Sequence, residues 1–247
     1  MDSLSLQQQL NYPFHYRTSI DSTNDEAQVQ LKRGADALFV VIADEQRRGR
    51  GRKGRVWHTP AGVAIAMSVI LKPTPQQAHR VSMIGALAVY DLCQHLGIKG
   101  VGIKWPNDVQ INGKKVSGIL PEAVWDAGDL IGVVLGMGMN VRVQFTDDIA
   151  PIATNLESET GETLNRADLI AHLMARIAYW YERIDSNDLF TTWEARLNTL
   201  GQRVEVEGVT GIAQTVDSSG ALLIKTADDR IRRVLAGDVS LIDAQTY

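Results

Sequence analysis

The dipeptide Asn112-Gly113 constrains the fold more than any other feature of this sequence. It separates two strand-like segments, 101–111 and 114–120. A type I′ turn needs positive φ at both of its central residues, and Asn-Gly meets that need best. The sequence therefore predicts an antiparallel β-hairpin at this point of the chain.

The hairpin places several polar residues close together. In an ideal two-residue hairpin, Lys115 lies opposite Gln110, and Ser117 lies opposite Asp108, so that polar side chains share the face beside Lys115. Pro106 has no N–H to donate to a β-ladder and indicates an edge strand or a bulge. Such an opening would leave room for a ligand.

Periodic apolar segments flank the hairpin on both sides. Helical spacing or a helix-start pattern predicts four helices, at 21–34, 76–96, 166–185 and 188–200. Short β-branched runs and turn residues predict further strands at 38–43, at 63–71 and on both sides of a second hairpin turn at 126–128. Helices and strands therefore share this part of the chain.

The pattern changes after Gly201. Four short strands are predicted, at 203–207, 211–216, 221–226 and 231–235. Evenly spaced strands with intervening glycines are typical of a small antiparallel barrel. We therefore expect two domains, 1–200 and 201–247, with the smaller domain docked on the larger one.

The overall composition is that of an ordinary globular protein, with 45% hydrophobic and 22% charged residues. A single cysteine, Cys93, excludes a disulfide framework and is typical of a reducing compartment. Residues 1–11 are polar and lack the features of a signal peptide. The longest apolar run, 62–71, is too short to span a membrane. We therefore expect a cytoplasmic protein.

Positive charge is concentrated in residues 47–55, which read RRGRGRKGR. These six cations belong to a chain whose net charge is −4, so the remainder carries −10. Glycines let such a loop fold around a ligand, and arginines bind phosphate or carboxylate groups bidentately. The loop predicts a localised anionic ligand, with a solvated basic turn or a nucleic-acid-binding patch as the alternatives. Its G-x-G-x-x-G spacing is not a dinucleotide fingerprint, because these glycines do not join a strand to a helix.

Two other segments combine polar side chains with small or turn-forming residues. KWPND at 104–108 lies across the predicted hairpin from Lys115, and GMGMN at 136–140 ends a strand with glycines and an amide. Small residues permit close approach, and an asparagine amide can hydrogen-bond the edge of a base. Taken singly, the segments are equally compatible with surface lysines and a tight turn.

Five motifs occur in order along nearly the whole chain. They are DSTN at 21–24, GRGRKGRVW at 49–57, KWPNDV at 104–109, KKVSGIL at 114–120 and GMGMNV at 136–141. In this order and spacing, the sequence resembles the biotin–protein ligase family. The resemblance implies an α+β fold, in which a mixed-sheet catalytic domain with helices, like that of class II aminoacyl-tRNA synthetases, precedes a small SH3-like β-barrel.

The resemblance also implies roles for individual residues. Biotin is expected to contact Ser22, Thr23, Asn24, Gln46, Arg50, Gly51, Arg52, Lys115 and Gly118. ATP or the adenylate is expected to contact Arg50, Arg52, Arg55, Trp57, Lys104, Asn107, Lys115 and Asn140. Lys115 and Arg52 are the candidate catalytic residues, Asp108 is a candidate Mg²⁺ ligand, and helix capping is the alternative for 22–24. Structural roles are expected for His58, Cys93, Trp105, Trp180, Tyr181 and Trp193.

The implied activity is that of an ATP-dependent biotin–protein ligase. Biotin and MgATP would form biotinyl-5′-AMP, and biotin would then pass to a lysine of a biotin carboxyl carrier protein, with no redox cofactor. The motifs begin near residue 21, so we expect the monofunctional type, without the N-terminal DNA-binding domain and without specific DNA binding. A homodimer formed through the sheet is also expected. The alternatives are a lipoate or octanoate ligase or transferase of the same fold, a nucleic-acid-binding module, and an adenylate-binding protein without transfer activity.

Overall fold

A seven-stranded mixed sheet forms the centre of the computed structural model, which describes residues 3–242. Its strands are β1 Phe14–Ile20, β2 Val40–Gln46, β3 Ala64–Leu71, β4 Val101–Lys104, β5 Asp108–Ile111, β6 Lys114–Asp126 and β7 Asp129–Asn140. They lie in the order β1-β2-β3-β7-β6-β5-β4, and β1 and β2 run parallel while the remaining neighbours run antiparallel. The sheet is therefore mixed, as predicted.

Helices cover both faces of this sheet. They are α1 Ser3–Gln9, α2 Thr23–Lys32, α3 Val81–His95, α4 Leu156–Thr160, α5 Arg166–Tyr181 and α6 Asn187–Glu194. Strand β2 shows the two faces clearly, because Val40 and Ile42 pack into the large core with α3 and α5, whereas Val41 packs with Leu31 of α2. This alternation is the two-residue period of a strand that is buried on both sides. Among the described helices, none is long and apolar enough to cross a membrane.

A second sheet follows α6 and is antiparallel throughout. Its strands are β8 Arg203–Val206, β9 Val209–Val216, β10 Leu222–Lys225, β11 Ile231–Val234 and β12 Ser240–Leu241, in the order β11-β10-β9-β8-β12. This sheet docks on the larger part of the chain, where the buried indole of Trp105 donates a hydrogen bond to the Gly220 carbonyl at 2.8 Å. The predicted α+β class with a C-terminal antiparallel unit is confirmed.

The turn of the central hairpin was predicted correctly, but the strand that precedes it was not. Asn112 and Gly113 have φ values of 51° and 80°, which confirms the turn. The single strand predicted at 101–111 is wrong, because the chain reverses at 105–107 and β4 pairs with β5. Pro106, which cannot donate to a ladder, lies in that reversal.

The predicted register of this hairpin is half correct. Lys115 lies opposite Gln110 as expected, but an irregularity between Val109 and Gln110 shifts the remaining pairs by one residue. Ser117 is therefore opposite Val109, and Asp108 is opposite Gly118. A bulge adds one residue to one strand, and the apolar alternation used for the prediction does not reveal it.

Candidate active site

A cavity opens on the sheet beside the N-terminus of α2 and beneath the basic loop. Strands β6 and β7 form its floor, and the turn between β4 and β5 contributes one wall. Its lining includes most of the residues predicted from the motifs, namely Ser22, Thr23, Asn24, Gln46, Arg50, Gly51, Arg52, Arg55, Trp57, Asn107, Asp108, Lys115 and Gly118. Five separate segments of the chain therefore meet at one site.

The N-terminus of α2 brings hydrogen-bonding groups to one end of the cavity. The Thr23 backbone N–H and side-chain hydroxyl both donate to Gln46 Oε1, at 2.9 and 3.0 Å. The hydroxyl of the fully buried Ser68 lies 2.7 Å from Thr23 Oγ1 and 2.6 Å from Asn24 Oδ1. Ser22 occupies the cap position of the helix, but its side chain makes no capping hydrogen bond. Gln46, rather than Ser22, therefore accepts the first backbone N–H of the helix, and Ser22, Thr23, Asn24 and Gln46 all line the cavity.

Glu122 connects this end of the cavity to the basic loop, and the motifs did not predict it. Its carboxylate accepts hydrogen bonds from Asn24 Nδ2 at 2.8 Å and from Gln28 Nε2 at 3.0 Å. It also lies 3.4 Å from Arg50 Nη2. Glu122 stands two residues beyond Leu120 on β6, so the strand period alone would have placed it on the cavity face.

Arg50 is held by carboxylates of the protein itself. Its two terminal nitrogens donate to Asp25 at 2.8 and 2.7 Å, and Glu122 lies beside them. The hydrogen bond to Asp25 is the main reason why the pKa of Arg50 is raised, against the opposing effect of partial burial. Because Asp25 and Glu122 neutralise the positive charge of Arg50, this guanidinium is less available to a ligand anion.

Arg52 has a different environment. Its Nη1 donates to the amide oxygen of Asn107 at 3.0 Å and to the Gly237 carbonyl at 3.2 Å, which are both neutral acceptors. Carboxylates pair with the neighbouring cations Arg47, Arg50, Lys53 and Arg55. Among the described loop cations, Arg52 and the exposed Arg48 have no carboxylate partner, and only Arg52 of these two lines the cavity.

Lys115 lies in the cavity next to Trp57 and Asp108. Its ammonium group is 2.7 Å from Asp108 Oδ1 and 5.3 Å from the centre of the indole ring. The ring rests on the backbone of Gly138, where an added Cβ would come within 2.3 Å of it. Trp57 Nε1 is buried against this backbone and has no hydrogen-bond partner in the described structure.

The carboxylate of Asp108, the candidate Mg²⁺ ligand, forms an ion pair with Lys115. The part of the chain from 3 to 242 contains no group of three or more His, Cys, Asp or Glu residues arranged to hold a metal ion. Magnesium usually keeps several waters and binds through one or two carboxylates together with substrate phosphates.

Two residues predicted to contact the nucleotide do not reach the cavity. Lys104 ends β4 and is outside the lining. Asn140 is buried, and its amide donates to the carbonyl of Thr154 at 3.1 Å and lies 3.5 Å from that of Lys115. Asn140 thus supports the backbone that carries Lys115.

The structural roles expected for four other residues are confirmed by their burial. Trp105, Trp180 and Trp193 belong to the large core. Cys93 is a buried free thiol, and burial raises its pKa to about 12. These side chains are not part of the cavity.

Replacement of Gly138 by alanine is expected to destabilise the protein through Trp57. The new methyl group would overlap the indole, and overpacking of this kind costs about 1–3 kcal/mol of unfolding free energy. Urea denaturation measures this cost. In a Trp57→Ala background the same substitution should cost less than about 0.5 kcal/mol; equal costs in both backgrounds would show that the contact is unimportant.

Comparison with known proteins assigns the family. Residues 16–140 match the model of the biotin/lipoate A/B protein ligase family, and residues 199–242 match that of the biotin protein ligase C-terminal domain. A biotin–[acetyl-CoA-carboxylase] ligase of Paracoccus denitrificans is 34% identical over 223 residues, which cover 83% of this chain and 91% of that relative. The protein of the same name from Mycobacterium tuberculosis is 37% identical over 234 residues, covering 88% and 85%.

A solved structure shares the fold across almost the whole chain. The biotin protein ligase from Aquifex aeolicus in complex with biotin and ATP superposes with a TM-score of 0.79 and 26% identity, covering 94% of this chain and 99% of that one. Sequence and fold thus agree over both parts of the molecule. With both family models matched, this chain belongs to the biotin protein ligase family.

Proposed function

We propose that this protein is an ATP-dependent biotin–protein ligase that forms biotinyl-5′-AMP and transfers biotin to a lysine of a biotin carboxyl carrier protein. The observation that carries the proposal is the single cavity in which Lys115, Arg52 and Trp57 face the polar N-terminus of α2. One end offers hydrogen bonds to a neutral polar ring system, and the other offers cations and an aromatic surface.

The ring system of biotin is expected to bind at the α2 end. Its ureido group is a compact hydrogen-bonding unit, and Ser22, Thr23 and Gln46 line the cavity there. Asn24 also lines this end of the cavity, but its side-chain amide hydrogen-bonds to other residues of the protein. Its Nδ2 donates to Glu122 and lies near the Leu120 carbonyl, and its Oδ1 meets Ser68, so it holds the wall in place.

The adenylation step brings two anions together. A carboxylate oxygen of biotin forms a bond to the α-phosphorus of MgATP, and pyrophosphate leaves. Lys115, which contacts Asp108, and Arg52, which contacts Asn107, both line the cavity and would neutralise the reacting carboxylate and the charge that builds on phosphorus. Lys115 must exchange its contact with Asp108 for the substrate during this step. The ring of Trp57, which lines the cavity, provides a stacking surface for the nucleotide.

The transfer step needs no nucleophile from the enzyme. The acceptor lysine amine attacks the acyl carbon of the mixed anhydride, AMP departs, and the proton of the amine is released. Water would destroy the anhydride, and the basic loop above the cavity excludes it. The carrier protein is therefore the partner that we propose, and a homodimer formed through the sheet and the absence of specific DNA binding remain proposals.

A cytoplasmic location, the division into domains 1–200 and 201–247, and Asp108 as a ligand of the incoming magnesium ion are also proposals. The buried free thiol of Cys93 accords with a reducing compartment. The lipoate alternative is less supported, because the model matched at residues 199–242 is that of biotin protein ligases.

Removal of the Glu122 carboxylate is expected to weaken biotin binding. Glu122→Ala removes the charged acceptor that holds the side chains of Asn24 and Gln28 beside the α2 end of the cavity. Hydrogen bonds to a charged group are worth about 1.5–3 kcal/mol, so the dissociation constant for biotin should rise about tenfold or more. Calorimetric titration measures this change. Glu182→Ala, at a side chain that is 75% exposed, is the control and should bind as the wild type does.

Biotin-dependent exchange of pyrophosphate into ATP tests the proposed function without an acceptor protein. The protein should catalyse exchange with biotin and MgATP, and lipoate should not replace biotin. Pyrophosphate exchange that occurs with lipoate but not with biotin would indicate a lipoate ligase instead. No exchange with either acid would rule out the adenylation step.

A further inference from the structure

The C-terminal sheet touches the basic loop at three consecutive points. Lys53 Nζ lies 2.5 Å from Glu207 Oε1, and Arg55 Nη2 lies 2.7 Å from Asp238 Oδ1. Arg52, which precedes these two cations in the chain, donates to the Gly237 carbonyl. The part of the loop that lies over the cavity is therefore attached to the second sheet.

The contacting groups of the second sheet form one compact surface. Glu207 lies in the turn between β8 and β9, and Asp238 precedes β12, which pairs with β8. Gly237 fits closely against this turn, since an added Cβ would lie 2.4 Å from Val206 and 2.9 Å from Glu207. The carbonyl that receives Arg52 and the two carboxylates thus have a fixed spacing.

This surface is itself tied to the larger part of the chain. Trp105 is 1% exposed and donates to the Gly220 carbonyl, and Thr215 donates to Glu194 of α6 at 2.9 Å. Arg52 Nη1 therefore donates both to Asn107, in the turn between β4 and β5, and to Gly237 of the C-terminal unit.

We propose that Glu207 and Asp238 are positioning residues that hold Arg52 at the site of the substrate anions. The inference rests on the proposed function, since it assigns Arg52 to the reacting groups. An exposed ion pair is weak when it acts alone. Here the two pairs are made by Lys53 and Arg55, which share one short turn with Arg52, so together they restrain the backbone that carries its guanidinium.

The contacts leave the charge of Arg52 intact. Glu207 and Asp238 bind its neighbours, whereas Arg52 itself meets neutral oxygens. The second sheet thus fixes the position of the guanidinium without neutralising it. Loss of either ion pair, Lys53 with Glu207 or Arg55 with Asp238, should release the turn in the free protein. It should also slow adenylate formation, with little effect on the stability of the core.

A charge exchange between Lys53 and Glu207 tests the inference. Three variants are compared with the wild type: Lys53→Glu, Glu207→Lys and the double exchange. Tryptic cleavage after Arg55 in the free protein, followed by mass spectrometry, reports on release of the turn. Pyrophosphate exchange with biotin gives kcat and KM for each variant. Lys225→Glu changes the charge of an ion pair elsewhere in the same sheet and is the matched control.

Each single variant should be cleaved about fivefold faster, because cleavage follows the population of the open turn. Its kcat/KM should fall about tenfold, mainly through kcat, because the lost contact acts on the transition state. The double exchange should recover both properties, and the control should match the wild type. Single variants that behave as the wild type, or a double exchange without recovery, would overturn the inference. If the wild-type protein shows no biotin-dependent pyrophosphate exchange, the proposed function is overturned instead. The cleavage rates would still decide whether the ion pair between Lys53 and Glu207 holds the turn in place.

Discussion

Replacement of Lys115 by alanine is expected to slow the formation of biotinyl-5′-AMP by about 10²–10³-fold, the usual effect of removing a group that stabilises developing charge. Lys115 shares the cavity with Arg52, and its ammonium group already binds the carboxylate of Asp108 at 2.7 Å. Without it, the substrate carboxylate and the α-phosphate would repel each other beside an uncompensated aspartate. Single-turnover formation of the adenylate measures the chemical step directly.

The adjacent residue provides a matched control for this experiment. Lys114 is exposed on the same strand and does not line the cavity. Lys114→Ala should therefore form the adenylate at the wild-type rate. Circular dichroism and thermal unfolding should show that both variants are folded. Near-normal adenylate formation by Lys115→Ala would remove this lysine from the chemistry.

Replacement of Arg166 by methionine is expected to cause the largest loss of stability, about 3–5 kcal/mol of unfolding free energy. Arg166 begins α5 and is only 5% exposed. Its guanidinium donates to Asp44 Oδ1 at 2.6 Å and to the Ala64 carbonyl at 2.9 Å, so it joins the helix to β2 and β3. Methionine would fill much of the volume but remove the positive charge that Arg166 places against the largely buried carboxylate of Asp44.

Urea denaturation of three variants tests the role of this ion pair. Arg33, an exposed arginine immediately after α2, is the control, and Arg33→Met should change the unfolding free energy by no more than about 0.5 kcal/mol. The double variant Arg166→Met/Asp44→Asn should recover part of the loss, because the buried carboxylate charge that Arg166 neutralised is removed with it. A small loss for Arg166→Met alone, or a double variant that is no better, would contradict this account of the pair.

Local turn chemistry made parts of the fold predictable. Asn112-Gly113 identified its hairpin because few dipeptides accept two positive φ values, and the motifs identified the cavity because their residues are contiguous in sequence. The bulge beside Gln110 was not predictable, since an irregularity in pairing leaves no mark on the apolar pattern.

Tertiary contacts explain what the sequence did not reveal. Helix α1 at Ser3–Gln9 was missed because its segment is mostly polar, and the burial of Leu6 depends on the rest of the core. Helix α6 ends at Glu194, earlier than the predicted end at 200. Glu122 lies outside every motif, and the contact of Lys53 with Glu207 joins residues far apart in the chain.

The central claim is that this protein attaches biotin to a carrier protein through an acyl-adenylate. The intact mass of a purified biotin carboxyl carrier domain, after incubation with the protein, biotin and MgATP, tests it most directly. The account predicts a mass gain equal to one biotinyl group that requires ATP, is absent with lipoate and is strongly slowed by Lys115→Ala. A carrier domain that keeps its original mass with the wild-type protein, biotin and MgATP would contradict it.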